Sequence, residues 1–197
     1  MEQEKELTSH ESLELIARMI SRAKDDYRET GISALLWGSV ITFCSLVAFF
    51  NFYWRLEWLG YIWLLTFAAV IPQIIVARQE RRQRKARGHH DNFMGGIWLS
   101  FAISIFLLSW FDNRYGLNMG ASIYMVLYGI PTFTTGYARR FTPMILGGIA
   151  CWVLAVVSGF LAFPYTMLCM AAAAQLAWFI PGLILRKCYL KVKKENV

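Results

Sequence analysis

Six apolar stretches follow one another along the chain, and short polar connections separate them. Each stretch is about 18 to 22 residues long, which is enough for a helix to cross the hydrocarbon core of a bilayer, roughly 30 Å thick. The pattern predicts an all-α polytopic membrane protein with six transmembrane helices. The predicted spans are residues 32–51, 58–77, 93–111, 119–137, 143–162 and 165–185.

Residues 8–29, before the first span, have the period of an amphipathic helix. One face is apolar, and the opposite face carries both acidic and basic side chains. This mixed charge argues against a purely electrostatic lipid anchor, in which Lys and Arg would dominate. We therefore expect this helix to lie in the lipid interface, to dock on the end of the bundle, or to bind a partner.

Lysine and arginine are unequally divided between the connections. The N-terminal segment holds five, the loop after the second span six, the loop after the fourth span two and the tail five, of 20 in the chain. The remaining connections hold only Arg55 and Arg114. By the positive-inside rule, both termini are predicted to be cytoplasmic. The strongest signal is the membrane-surface basic cluster after the second span, which comprises Arg78, Arg81, Arg82, Arg84, Lys85 and Arg87.

The predicted spans and their orientation indicate three parts of the chain. They are a cytoplasmic amphipathic helix (1–30), a transmembrane domain (31–186) and a basic cytoplasmic tail (187–197). Aromatic residues cluster at the opposite, outer ends of the spans, as is typical of a membrane interface. These are Phe52, Tyr53, Trp54, Trp58, Tyr61, Trp110, Phe111, Tyr115, Phe163 and Tyr165. The acidic N-terminus does not resemble a cleavable signal peptide, so we expect the first span to insert as an uncleaved anchor.

The composition agrees with this assignment and limits the partners. Hydrophobic residues make up 57% of the chain and charged residues 17%, below the quarter that is usual in soluble proteins. The net charge of +7 lies beside the apolar stretches, which indicates contact with a lipid bilayer and not with nucleic acid. No N-x-S/T sequon occurs, which is consistent with a bacterial protein of the cytoplasmic (cell inner) membrane.

The six spans form three consecutive hairpins with a common pattern, which suggests an internal repeat. Each even span carries Ile-Pro near its cytoplasmic third, at Pro72, Pro131 and Pro181, where we expect helix kinks. Each odd span carries small residues at every fourth position, a pattern that favours close helix packing. These ladders are Ala34, Gly38 and Thr42; Gly96, Ser100 and Ser104; and Gly147, Cys151, Ala155 and Gly159.

Two known classes are similar in topology alone. Three hairpins resemble mitochondrial carriers, but those carry a Pro-x-Asp/Glu-x-x-Lys/Arg signature on their odd helices, whereas the prolines here lie on even spans without an acidic partner. An amphipathic helix followed by six spans resembles the permease subunit of some ATP-driven exporters. This chain is short for that class and lacks its longer outer connection between the last two spans.

The six spans contain no Asp, Glu, Lys, Arg or His. An intramembrane charge costs about 2.5 to 3.5 kcal/mol, so it is usually kept only for a function. Its absence argues against proton relays, embedded metal sites and the Ser-His pair of an intramembrane protease. His89 and His90 are adjacent loop residues without further ligands, and the four cysteines form no C-x-x-C pair. We therefore predict no catalytic residues, no metal and no cofactor.

Intramembrane polar side chains are concentrated on the fourth span. Tyr124, Tyr128, Thr132 and Thr135 share one helix face beside Pro131, and Gln73 and Gln175 lie on the second and sixth spans. One interpretation is a polar path for a neutral solute. The other is that these groups bond to one another and to backbone carbonyls near the prolines, each contributing about 1 kcal/mol.

The sequence leaves two functional hypotheses. The first is a non-enzymatic accessory or regulatory membrane protein, because its sizeable polar segments all face the cytoplasm, where a protein partner or a second copy of the chain would bind. The second is a small transporter or channel for a neutral or amphipathic solute, suggested by the hairpin pattern and the polar face of the fourth span.

Overall fold

The computed structural model describes residues 30–83, 89–116 and 120–195. About 90% of these residues are helical and none lies in a strand, so the predicted all-α class is confirmed for this part of the chain. The helices are α1 (Ile32–Trp54), a 3₁₀ helix (Glu57–Trp63), α2 (Leu64–Gln83), α3 (His89–Tyr115), α4 (Ala121–Ala138), α5 (Thr142–Ser158), α6 (Tyr165–Ala174) and α7 (Ile180–Glu195). A π-helical turn, Gln175–Phe179, joins α6 to α7 in one continuous rod.

Helical segments occupy the regions of all six predicted spans, but they differ in length and polarity. Four are long and apolar enough to cross a membrane, namely Ile32–Trp54, Trp58–Glu80, Phe93–Tyr115 and Tyr165–Lys191. Helix α5 is apolar but has only 17 residues, and α4 is more polar. The predicted amphipathic helix at 8–29 lies outside the described residues, as do residues 84–88 of the basic loop.

Helices α4 and α5 pack closely side by side in antiparallel directions. Near one end, a Cβ added at Gly136 would lie 2.7 Å from the backbone nitrogen of Ile145. Near the other end, the Ser122 and Ser158 hydroxyl oxygens are 2.7 Å apart. Because contacts occur at both ends, the two helices stay adjacent along the whole of α5.

The α6–α7 rod lies between α1 and α5, both of which run antiparallel to it. A Cβ added at Gly38 of α1 would lie 2.7 Å from the backbone nitrogen of Phe179, and one at Gly147 of α5 would lie 2.5 Å from the Leu176 carbonyl oxygen. Only glycine permits so close an approach of two helix backbones. The core of the protein is therefore α1, α4, α5 and the α6–α7 rod, which we call the inner bundle.

Helices α2 and α3 are attached to the outside of this inner bundle. In the most apolar 18-residue window, 56% of residues are buried for the α6–α7 span, but 11% for the α2 span and 6% for the α3 span. Helix α2 lies against α1 and the 3₁₀ helix, and α3 lies against α4. Within the described residues, no Cα atom of α2 lies within 8 Å of a Cα atom of α3. Their large apolar surfaces are suited to lipid.

The predicted small-residue ladders therefore differ in whether they contact another helix. Those on α1 and α5 face the rod at Gly38 and Gly147, as a close-packing motif should. On α3, a Cβ added at Gly96 would meet nothing within 4 Å, and Ser100 is exposed. The expectation of close packing fails there because α3 uses a different face against the core. That face carries Trp98, Phe101 and Ile105.

The predicted prolines also have different surroundings. Pro131 lies inside α4 and Pro181 lies in α7 just after the π turn, and both are fully buried. Pro72 lies inside α2 and is half-buried. The threefold repeat itself stays a prediction.

Candidate functional site

The central polar group is a contact between α4 and the α6–α7 rod. Thr132 is fully buried, and its hydroxyl accepts a hydrogen bond from Trp178 Nε1 at 2.9 Å and donates to the Tyr128 carbonyl oxygen at 2.7 Å. The Tyr128 ring lies 4.8 Å from the Trp178 ring, centroid to centroid. Trp178 and Thr132 thus satisfy each other, and the Tyr128 ring packs against Trp178, as the structural interpretation of the polar face expects.

The rest of the predicted polar face of α4 has other neighbours. The Tyr124 hydroxyl lies 3.3 Å from the Ser109 hydroxyl of α3, so it links an outer helix to the inner bundle. Thr135 is buried, and its hydroxyl has no hydrogen-bond partner among the described residues. The structure therefore divides the four side chains of the predicted face between different contacts.

Gln175, at the start of the π turn, links the rod to α1. Its Nε2 donates to Thr42 Oγ1 of α1 at 2.9 Å. The rod is held at this level from both sides, because Gly38 and Gly147 abut Phe179 and Leu176. Pro181 then follows and has no backbone N–H, which disturbs the regular helical hydrogen bonds. A π turn is a common way for a helix to absorb one extra residue, and such turns are frequent at functional positions.

Gln73 does not join the other polar side chains. Its Nε2 donates to Ser33 Oγ at 3.2 Å, on the first turn of α1. Ser33 and Thr42 are nine residues apart on one helix, which corresponds to about 13.5 Å. Gln73 thus bonds to α1 from α2, and Gln175 bonds to α1 from the α6–α7 rod, at different levels along α1.

Several buried polar atoms have no hydrogen-bond partner among the described residues. They are Ser45 Oγ, Thr135 Oγ1, Thr166 Oγ1 and Gln73 Oε1. An unpaired buried polar atom costs about 1 to 3 kcal/mol, so such atoms are uncommon in a purely structural core. They are the main feature of the bundle that packing alone does not account for.

A second polar contact joins three parts of the chain at one end of the bundle. The Thr30 hydroxyl donates to the Glu80 carboxylate near the end of α2, and Thr30 is buried. Gly31 follows with φ = 70°, and a Cβ there would lie 2.5 Å from the Gly182 carbonyl oxygen and 3.0 Å from the Arg186 backbone nitrogen. We call Thr30, Gly31, Glu80, Gly182 and Arg186 the polar junction. It fixes where the N-terminal segment, the loop after α2 and the C-terminal part of α7 leave the bundle.

The predicted basic cluster begins beside this junction. Arg78 is exposed on α2, and the backbones of Arg81 and Arg82 continue the same helix. Arg84, Lys85 and Arg87 lie outside the described residues. On α7, the Arg186 guanidinium lies 5.7 Å from the centroid of the Tyr189 ring, and Lys187, Lys191 and Lys194 are exposed on the turns that follow.

No protein-family model, characterised protein or solved structure matches this chain. Its function has to be inferred from its own geometry. Among the described residues, no three His, Cys, Asp or Glu side chains are grouped as a metal site would require. The four cysteines are free thiols.

For the hydrogen bonds Trp178–Thr132 and Gln175–Thr42, the polar pattern of the sequence indicates only one partner of each. Trp178 lies in the apolar sequence of the sixth predicted span, where a buried indole N–H usually has an acceptor, and this is a usable signal. Thr42 belongs to a predicted packing ladder, and its partner Gln175 is 133 residues away in the chain. Thr30 belongs to the predicted N-terminal part, and its partner Glu80 is 50 residues away. No local pattern could pair residues that far apart.

Proposed function

We propose that this protein is a six-span, non-enzymatic accessory or regulatory protein of a bacterial cytoplasmic membrane. Both termini and the basic loop lie on the cytoplasmic side, where the protein binds a cytoplasmic protein partner. The observation that carries the proposal is the polar junction, because it brings the attachment points of three charged segments together at one end of a closely packed bundle.

The packing of α5 supports the count of six spans. At 17 residues α5 is about 26 Å long, slightly less than the hydrocarbon thickness. It runs beside the α6–α7 span, with Gly147 against Leu176 and the Cys151 thiol 3.8 Å from the Ala173 carbonyl oxygen. A helix that stays in contact with a membrane-crossing helix along its length crosses the membrane with it. Helix α4 is bound to α5 along its length and follows the same path.

Close packing at the centre supports an accessory role over transport. Tyr128 is 5% exposed and Thr132 is fully buried, and Trp178 covers both. A cleft at the aromatic end of the bundle is lined by residues of α1, the 3₁₀ helix and the α5–α6 turn, and these do not include Tyr128 or Gln175.

Photocrosslinking from the predicted cytoplasmic surface tests the proposed partner. A benzophenone amino acid would replace Arg18, Arg22 or Gln79, and Tyr61 at the aromatic end would serve as the exposed control position. We expect the three cytoplasmic positions to capture one and the same protein, and Tyr61 to capture lipid. Thr30→Val should weaken capture at positions 22 and 79 together, because it loosens the junction that both depend on. Capture of only lipid and second copies of the chain would overturn the proposal.

The second candidate function is a transporter or channel for a neutral or amphipathic solute. The unpaired buried hydroxyls and the π turn favour it, because both are commoner where a helix rearranges than in a static core. Reconstituted protein with Tyr128→Phe or Thr132→Val should then show altered flux in liposomes loaded with the solute. Flux equal to that of the unmodified protein would exclude this face as the path.

A further inference from the structure

A cleft of about 530 Å³ lies at the aromatic end of the bundle, opposite the polar junction. The C-terminal end of α1, the 3₁₀ helix and the turn between α5 and α6 form its walls. Its lining residues include Asn51, Arg55, Gly60, Ile62, Trp63 and Phe163. Its volume is within the range of small-molecule sites, about 300 to 1,000 Å³.

The level of the cleft relative to the membrane follows from the length of α1. From Ile32 to Trp54, α1 spans 23 residues, about 34 Å, which exceeds the hydrocarbon core by a few ångströms. Arg55, just after its end, therefore lies at the level of the lipid headgroups. Trp54, Trp58 and Tyr61 are exposed around the same level, as aromatic side chains at an interface are.

The walls of the cleft have two kinds of chemistry. Ile62, Trp63 and Phe163 give an apolar side that extends toward the hydrocarbon core. Arg55 gives a guanidinium at the headgroup level, and Asn51 accepts the Leu56 N–H through Oδ1 at 3.0 Å, which leaves its NH₂ group to donate. A guanidinium and an amide NH₂ above an apolar wall are the groups that recognise a phosphate attached to an acyl chain.

We propose that this cleft binds one anionic phospholipid, with its phosphate at Arg55 and Asn51 and the upper part of an acyl chain along Trp63 and Phe163. Arg55 is one of only two basic residues that the sequence places on the outer side. The other, Arg114, lies over the Tyr115 ring, 5.8 Å from its centroid, and does not line the cleft. Arg55 and Arg114 therefore form a matched pair for a test.

Native mass spectrometry of the full chain in detergent, titrated with phosphatidylglycerol, tests the site. We expect one lipid to be retained, and Arg55→Gln to weaken its binding about tenfold, the effect of losing one charge-assisted hydrogen bond. Arg55→Lys should recover part of the affinity, and Arg114→Gln should leave it unchanged. Equal losses in Arg55→Gln and Arg114→Gln, or no loss in either, would overturn the proposal.

A steric variant tests the cleft independently of charge. Gly60 lines the cleft and a Cβ there would meet nothing within 4 Å, so Gly60→Leu should narrow the cleft without a clash in the fold. Gly95 on α3 is equally open and lies outside the cleft, so Gly95→Leu is the control. We expect Gly60→Leu alone to reduce retention of the lipid.

Three further probes identify the ligand class. Phosphatidylcholine should bind more weakly than phosphatidylglycerol, and a fatty acid should compete less well than phosphatidylglycerol because it lacks the phosphate. Inorganic phosphate should not displace the lipid. Displacement by inorganic phosphate would indicate a site for the free anion and would contradict the lipid assignment.

Discussion

The inner bundle and the two outer helices are built from similar sequences but differ in what holds them. Both regions contain apolar stretches, hydroxyl side chains and at least one small-residue ladder. In the inner bundle, Gly147 lies directly against the Leu176 backbone, whereas Gly95 and Gly96 on α3 lie against nothing within 4 Å. The difference shows that a small-residue ladder permits close packing without requiring it. Stability should therefore be concentrated in the inner bundle.

The largest expected difference comes from enlarging one glycine in each region. Gly147→Leu places a side chain where a Cβ alone would be 2.5 Å from the Leu176 carbonyl oxygen, so we expect a loss of about 3 kcal/mol in the free energy of unfolding. Gly95→Leu should cause no loss, since it adds a better helix former in open space. Reversible unfolding in mixed micelles measures both. Equal losses would mean that α3 is packed as closely as α5.

A smaller difference is expected from removing one hydroxyl in each region. Thr132→Val keeps the shape of the side chain but leaves the buried Trp178 N–H without its acceptor, which should cost about 1 to 2 kcal/mol. Ser104→Ala on α3 removes only a hydrogen bond to the Ser100 carbonyl of its own helix and should change stability by less than about 0.5 kcal/mol. The same unfolding measurement applies. An unaffected Thr132→Val would show that the central hydrogen bond does not hold α4 to the rod.

The two glutamines offer a third, weaker comparison. Gln175→Leu removes the hydrogen bond to Thr42 between α1 and the rod, and we expect a loss of about 1 kcal/mol. Gln73→Leu should be close to neutral, because it loses one bond to Ser33 but also removes a buried oxygen that has no described partner. A larger loss of unfolding free energy for Gln73→Leu than for Gln175→Leu would show that the contact between α1 and α2 also stabilises the core.

The smallest expected effect is local, at the point where an outer helix is tied to the inner bundle. Thr30→Val breaks the bond to Glu80, and we expect little change in global stability. Hydrogen exchange at the start of α1, at the Leu35 amide that bonds the Gly31 carbonyl at 3.1 Å, should become severalfold faster. Unchanged exchange would show that Gly31 alone fixes the junction.

The helices could be predicted from the sequence, because apolar stretches of membrane length are encoded locally. The π turn could not. Its residues Trp178 and Phe179 contact Thr132 and Gly38, and both contacts join distant parts of the chain. The sequence could not predict that Gly38 packs closely against another helix and Gly96 does not, since the two ladders are alike in sequence. For the candidate site, Thr132 and Gln175 were identified from their polarity, but their partners were not.

The central claim is that α5, the shortest of the proposed spans, crosses the membrane and leaves its two flanking turns on opposite sides. In a cysteine-free background, Thr142→Cys marks the start of α5 and Ala162→Cys the turn after it, and both positions are exposed. A membrane-impermeant maleimide applied to intact cells should label position 162, and should label position 142 only after permeabilisation. Labelling of both positions in intact cells, or of position 142 alone, would contradict the six-span account.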